Sequence, residues 1–440
     1  MCRILLLSTL LGALVSAVQA APVVPPPRCE IGSYRMADGS ALDIGPDAGD
    51  QLRWRTPDGR SGALHPDGRH AWTSTRGWTG QADGHSVRFG DCRAGRIRFD
   101  GMKGRRVPLR QVDTRFQGAG VMLAGRLTLP PGDAPVPLVV LVHGAEDSSA
   151  LERYSLQREF ASAGIAVFAY DKRGTGQSGG RYTQNYLTLA NDLILATREA
   201  RRLAGTRVHR VGYQAGSQGG WVAPLAARIE PVDFIVVSFG LAVSPLEEDR
   251  EAIAFDMQRA GQGADATAQA MRIADAVATI VESGFTEGFE ALAEARQRHG
   301  HEPWFAAVRG NITGYLLSTP EATARVQGPK LLEGMPAHYD PMPVLANLRV
   351  PQLWIFGGQD RDAPPGGTLG RLATLQAQGR PITTAVFAGA DHGMYEFEQD
   401  AAGERVSTRQ PQGYFTLMTD FIRGDALEAH YGEARPRRAR

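Results

Sequence analysis

The stretch Tyr213–Trp221, YQAGSQGGW, decides how the rest of the chain is read. Ahead of the serine runs VHRVGYQ, apolar and β-branched, and behind it GGWVAPLAARI has the spacing of a helix. A serine among small residues at such a junction is the pattern of a tight strand-to-helix corner, with the hydroxyl of Ser217 at its tip. Gly216, Gly219 and Gly220 let the corner fold tightly and the helix pack against the strand. Ala215 stands where glycine is usual, so the stretch needs support from elsewhere.

That support comes from the texture beyond about Thr114. After the strand-like VMLAGRLTLP, the apolar runs PLVVLVHG, IAVFAYD, DFIVVSFG, QLWIFGG and ITTAVFAG alternate with helical stretches. Runs apolar on both faces predict a mostly parallel sheet covered on each side, a doubly wound α/β domain. The alternation breaks between Pro245 and about Asp340, where charged, helical sequence predicts a cap inserted over the strand ends. The α/β domain is therefore expected over 114–244 and 341–425, with the helical cap at 245–340.

Two more chemically apt residues fall at strand ends. Asp360 follows QLWIFGG, and His392 follows ITTAVFAG within AGADHGM. The order Ser, Asp, His suits nucleophilic catalysis. A serine hydroxyl needs an imidazole to take its proton, and a carboxylate must hold that imidazole in the right tautomer. Asp362 is the rival carboxylate; Asp391, next to the histidine, reads as a loop residue.

With these residues in view, the chain resembles the α/β-hydrolase superfamily of bacterial serine esterases, near the branch related to dienelactone hydrolases and prolyl-oligopeptidase-type domains. The resemblance spans roughly Thr114 to Asp425 and rests on LVHGAED, AYDKRGTGQSGG, GYQAGSQGGWVAPLAA, WIFGGQDRDAPP and GADHGM. It implies Ser217 as nucleophile, His392 as base and Asp360 as the third member, with the backbone amides of Gln218 and Ala145 as the oxyanion hole. It also implies cleavage of a small-molecule ester or acyl substrate through an acyl-enzyme, without metal or organic cofactor. Peptide, thioester or lactone bonds are the alternative substrates of the same machinery. A catalytically dead binding protein is the reading from a different class.

The start, MCRILLLSTLLGALVSAVQA, has a cation, a short apolar run and small residues at Val18 and Ala20, the marks of a cleavable signal peptide over 1–20. A periplasmic or secreted protein is expected, with no membrane span after cleavage. Cys2 leaves with that segment, and Cys29 and Cys92 are then an even pair in an oxidising compartment, expected to form a disulfide. Residues 21–28 form a proline-rich linker. From 29 to 112, turn signals such as PDGR and ADGH punctuate short alternating runs, predicting a small antiparallel β domain. That domain holds Trp54, Trp72 and Trp78, read as core rather than ligand surface, and is expected to be an accessory unit giving no catalytic group. The basic stretch 426–440 reads as a frayed tail.

The 440 residues suffice for two or three units, and a formal charge of +1 gives no reason to expect nucleic acid or an anionic membrane as partner. Several motifs are set aside. GTGQSG, Gly174 to Gly179, matches a dinucleotide fingerprint with Asp192 loosely placed for a ribose, yet DKR intervenes after the strand. His143 reads as structural, and His65, His70, His85, His301 and His338 lack metal-ligand spacing. Asn311 opens an NIT glycosylation pattern. Phe255, Met257, Met271, Phe285, Phe289, Trp304 and Phe305 are cap residues from which an acyl pocket could draw, most of them expected in its core.

Overall fold

In the computed structural model the described residues are 28–438 apart from 50 and 69, with Cys92 described in its backbone alone. The expected signal peptide, the linker up to 27 and the side chain needed for a Cys29–Cys92 bridge lie outside them.

Asp38-Gly39, Asp58-Gly59, Asp67-Gly68 and Asp100-Gly101 close hairpins, whereas ADGH, read as a turn, lies inside the strand Ala82–Phe89. Eight strands, β1 (Gly32–Met36), β2 (Ala41–Pro46), β3 (Leu52–Arg55), β4 (Ser61–Pro66), β5 (Ala71–Arg76), β6 (Ala82–Phe89), β7 (Arg96–Phe99) and β8 (Met102–Arg106), form a closed barrel. Neighbours pair antiparallel and β8 returns to β1. Alternation sends one face inward, where Ile44, Leu52, Leu64 and Val87 are fully buried. Trp54 and Trp72 join this core as expected, and the indole of Trp54 donates to Ser74 Oγ at 2.7 Å. Trp78 lies outside the core, 39 % exposed.

The second sheet has nine strands. Eight of them are β9 (Arg110–Gln117), β10 (Met122–Leu129), β11 (Val136–Val142), β12 (Ala166–Tyr170), β13 (Val208–Gly216), β14 (Phe234–Ser238), β15 (Gln352–Gly357) and β16 (Ile382–Phe387). A two-stranded hairpin follows, β17 (Glu396–Gln399) with β18 (Arg405–Arg409), and β19 (Arg437–Arg438) completes the large sheet. The order is β19-β16-β15-β14-β13-β11-β12-β10-β9, with the middle six strands parallel. This is the doubly wound arrangement predicted. It begins at Arg110 rather than near Thr114, because β9 is an edge strand whose polar, alternating residues look like one more hairpin strand.

Helices α1 (Ala150–Arg153) and α2 (Leu156–Ser162) follow β11, α3 (Tyr186–Ala204) follows β12, and α4 (Gly219–Ile229) follows β13. The cap comprises α5 (Pro245–Arg259), α6 (Ala264–Glu282), α7 (Phe289–His299), α8 (Asn311–Ser318) and α9 (Glu321–Leu331). Its start is fixed locally: Ser244 and Glu247 form a reciprocal capping box, with Pro245 at the first helical turn. Its core is its own, built on Met257, Ile273, Val277 and Phe289. Returning to the sheet, α10 (Met342–Asn347) and α11 (Pro365–Ala377) precede α12 (Tyr414–Arg423). On one face Phe160 of α2 stacks on Phe415 of α12 at 5.3 Å; on the other Tyr186 of α3 stacks on Trp221 of α4 at 5.0 Å. Among the described residues no helix is long and apolar enough to cross a membrane.

The tail differs from its expectation. Tyr431 and Ala434 are buried, the Tyr431 hydroxyl donates to Asp420 Oδ2 at 2.7 Å, and Arg437 and Arg438 pair with Thr384 and Thr383. Two buried residues, one aromatic and one small, anchor it among charged neighbours, and composition alone hides them.

Barrel and sheet are joined firmly. Arg158 of α2 makes a bidentate pair with Asp43 of β2 at 2.8 and 2.7 Å, both side chains buried. Removing one member of such a pair leaves a buried charge uncompensated, at a cost of about 3–5 kcal/mol.

Candidate active site

The serine corner is built by steric necessity. Ser217 has φ +50°, a left-handed conformation that non-glycine residues rarely adopt. Its amide donates to Ser238 O at 3.1 Å, and its carbonyl accepts from Gly220 N at 2.7 Å. A Cβ on Gly219 would lie 3.0 Å from the carbonyl oxygens of Val142 and His143 and 3.1 Å from the methyl of Ala215. The methyl at Ala215, fully buried between β11 and β14, thus fits because Gly219 has no side chain. A Cβ on Gly216 would meet the ring of Phe239 at 2.9 Å.

The loops after β15 and β16 are tied together. Gly358 N donates to Phe387 O at 2.8 Å and Gln359 N to Ala390 O at 2.8 Å. This brings His392 Nδ1 to 3.0 and 3.2 Å from the two carboxylate oxygens of Asp360. Asp360 is 1 % exposed, and its Oδ1 also accepts from the amides of Asp362 and Ala363 at 3.0 and 2.8 Å. Asp362 therefore supports Asp360 through its backbone, and it is itself among the residues that line the cavity. Burial by itself would lower the His392 imidazole, but the charge and hydrogen bond of Asp360, aided by Asp362 and Glu248, push it up to about 9. Burial pushes the Asp391 carboxyl up to about 6 against the pull of Arg405; it does not bond the histidine ring.

Ser217, His392, Ala145 and Gln218 line one cavity of about 800 Å³ under the cap. Among the described residues no hydrogen bond links Ser217 Oγ to His392, whose ring packs edge-on to Phe239 at 4.9 Å. The amides of Ala145 and Gln218 donate to no group of the protein among the described residues. Gln218 is held from its side chain, Nε2 donating to Gln184 Oε1 at 2.8 Å, and Gln184 in turn donates to the cap carbonyls of Leu331 and Glu333. The cap contributes Phe285, Ile312, Tyr315 and Met335 to the walls. Of the cap residues singled out in the sequence, Phe285 lines the cavity, whereas Met257, Phe289 and Trp304 are buried in the cap core.

Four acidic residues, Glu146, Asp147, Glu248 and Asp362, line the same cavity. Burial first, and the neighbouring acids Asp249, Asp360 and Asp362 next, hold Glu248 well above the usual carboxylate range despite His392. Asn311, flagged in the sequence for glycosylation, lines the cavity and donates to Glu248 Oε1 at 3.1 Å and to Asp362 O at 2.9 Å. Phe239 and Asn311 carry no local signal of these positions. The glycine-rich turn GTGQSG wraps the carboxylate of Asp171, which accepts from Gln177 N at 2.9 Å where a bound phosphate would need that amide. Asp192 is bound by Arg173 at 2.7 and 2.8 Å.

The loop after His392 reaches the barrel. The ring of Tyr395 meets Trp78 at 4.8 Å, and the Arg53 guanidinium lies over the Trp78 ring, 3.7 Å from its centre. Trp78 N donates to Ser407 O at 2.9 Å, Gln410 N to Gly59 O at 2.9 Å, and Arg76 pairs with Glu398. Gly59, at φ +93°, permits the approach: a Cβ there would lie 2.1 Å from Gln410 O. Among the described residues, none from the barrel lines the cavity itself.

A family model described as serine aminopeptidase S33 matches residues 133–264, which include the serine corner. Esterase FrsA of Enterobacter sp. (strain 638) is 32 % identical over 111 residues, 25 % of this chain and 26 % of that protein. An uncharacterised 31.7 kDa protein of Escherichia coli is 23 % identical over 304 residues, 67 % of this chain and 95 % of that one. The chain thus spans about a quarter of the length of the first of these relatives. Among solved structures, the Pyrococcus horikoshii acylaminoacyl peptidase aligns with 88 % of this chain and 57 % of its own, at 14 % identity and a TM-score of 0.43.

Proposed function

We propose that this chain, an α/β-hydrolase of the serine-esterase superfamily, cleaves carboxylic esters through an acyl-enzyme on Ser217. The observation that carries the reading is the convergence in one cavity of Ser217, the Asp360-held His392 and two backbone amides with no partner among the described residues. In this reading Ser217 Oγ attacks the ester carbonyl while His392 Nε2 takes its proton. Asp360 keeps Nδ1 protonated and stabilises the imidazolium. The amides of Ala145 and Gln218 stabilise the developing oxyanion, each donor being worth about 3 kcal/mol. His392 returns the proton to the departing alkoxide, and water then releases the acid by the same route. Ligand-free sites often hold the serine and histidine apart until substrate arrives.

The experiment is fluorophosphonate labelling of the purified protein, followed by turnover of a short-chain p-nitrophenyl ester. Stoichiometric label on Ser217 with turnover is the expected result; a folded protein without label would end the reading. A peptide substrate is the second reading, favoured by the description of the matched family model. Comparing a p-nitrophenyl ester with the matching p-nitroanilide decides between them, the ester being expected to turn over faster. Export and a Cys29–Cys92 disulfide belong to the same proposal, motivated by the leader-like start and the even cysteine pair.

A further inference from the structure

We propose that Lys172 is a positioning residue for the oxyanion hole, its ammonium aiming and polarising the Ala145 amide through the carbonyl of Gly144. The inference rests on the serine-hydrolase reading above. Lys172 directly follows the Asp171 around which the glycine-rich turn folds, and it is 2 % exposed. A buried ammonium is costly unless its donors are used. Its Nζ donates to Gly144 O at 2.9 Å. A trans peptide unit is planar, with C=O and N–H pointing in opposite directions. Holding Gly144 O toward the lysine therefore directs Ala145 N–H the other way; Ala145 lines the cavity, and its amide has no partner among the described residues. The cation withdraws electron density from the same peptide unit, which makes the N–H a stronger donor.

A second contact secures the next peptide. Tyr182 Oη donates to Ala145 O at 2.5 Å, and its ring centre lies 4.8 Å from Lys172 Nζ. The peptide units on both sides of Ala145 are thus gripped by side chains. A merely structural lysine would have no need to end at this carbonyl. The charged and titratable groups around it are Glu146 and Asp147, His143 and Tyr182. Burial lowers the ammonium to about 8 despite the two carboxylates, and burial with the lysine charge holds His143 neutral, at about 3.

The test compares wild type with Lys172→Met on an aryl ester and on a trifluoromethyl ketone. The ketone accepts Ser217 Oγ at its carbonyl carbon, the serine proton passing to His392, and leaves an oxyanion in the hole. The expected result is a fall in kcat of about 10- to 100-fold, part of the ~10²–10³ that a whole donor contributes. KM should stay within about threefold, and the ketone inhibition constant should rise in step with the loss in kcat. Labelling at Ser217 should remain stoichiometric but slower. The ratio of wild-type to variant kcat should shrink as pH rises through about 8, where wild type loses the ammonium; a shared histidine titration cancels from that ratio. Equal kcat and ketone affinity in the two proteins would overturn the proposal while leaving Ser217 labelling, and so the hydrolase reading, intact. If Lys172→Met does not fold, Tyr182→Phe replaces it. A several-fold loss in kcat and ketone affinity at constant KM supports the clamp, and no change in either overturns it.

Discussion

The two halves of the candidate site are held in different ways. The serine half is made by the central strands and the turns that leave them. Its φ, its glycines and the amides of Ala145 and Gln218 all arise within a few residues of β11 and β13. The histidine half rests on two loops joined to each other and on the hairpin that follows, and that hairpin lies against a barrel more than three hundred residues earlier in the chain. The first half is a local fold problem, whereas the second is a docking problem. The candidate site thus leans, through that hairpin, on a domain of which no described residue lines its cavity.

The largest effect should come from the serine half. Ser217→Ala should lower turnover of an aryl ester by far more than 100-fold, on the order of 10⁶ by analogy with other triads, with melting temperature unchanged. Turnover above about a hundredth of wild type would remove Ser217 from its assigned role. In the histidine half, Asp360→Asn should cost about 10⁴-fold in kcat by favouring the wrong tautomer. Asp362→Asn, whose contribution to Asp360 is a backbone amide, should cost a few-fold at most. A reversal of these two would move the carboxylate.

The halves should also separate by pH. Backbone amides do not titrate, while His392, raised to about 9, acts as a base only once it has lost its proton. Hence kcat/KM should climb with pH, by about 50-fold between pH 7 and 9, in proportion to neutral imidazole. A profile already flat from pH 7 would show that the imidazole is not held charged in the free enzyme.

The smallest effect sharpens the comparison most. Trp78→Ala should lower kcat by about tenfold with KM little changed, since a misplacement of ~1 Å can cost up to 10²-fold. Trp78→Phe, which keeps a ring against Tyr395, should recover most of it. An unchanged kcat in Trp78→Ala would return the barrel to the accessory role that the sequence suggests.

What was legible in the sequence follows this division. The corner at Ser217, the strand ends at Asp360 and His392 and the helical cap are set by short-range patterns, and each could be read from them. Phe239, Asn311 and Tyr182 act through neighbours distant in sequence, so no spacing announces them. Lys172 stood in a recognised motif, yet its partner Gly144 lies 28 positions away, and only folding reveals the bond. The tail shows the same limit: Tyr431 and Ala434 are unremarkable letters until α12 covers them.

The small residues flanking Ser217 carry a consequence for how such corners are searched for. A Cβ at 219 would press on two carbonyl oxygens at 3.0 Å and on the Ala215 methyl at 3.1 Å, whereas the position at 215 has room for one methyl so long as 219 stays bare. The two glycines of the familiar pattern are thus unequal letters: the second is the more tightly confined, and the first stands for a class of two. A pattern written with a strict first glycine passes over this chain. One written as a joint size limit, Gly or Ala before the serine and Gly alone after it, retrieves it and predicts that Ala215→Gly is tolerated while Gly219→Ala is not.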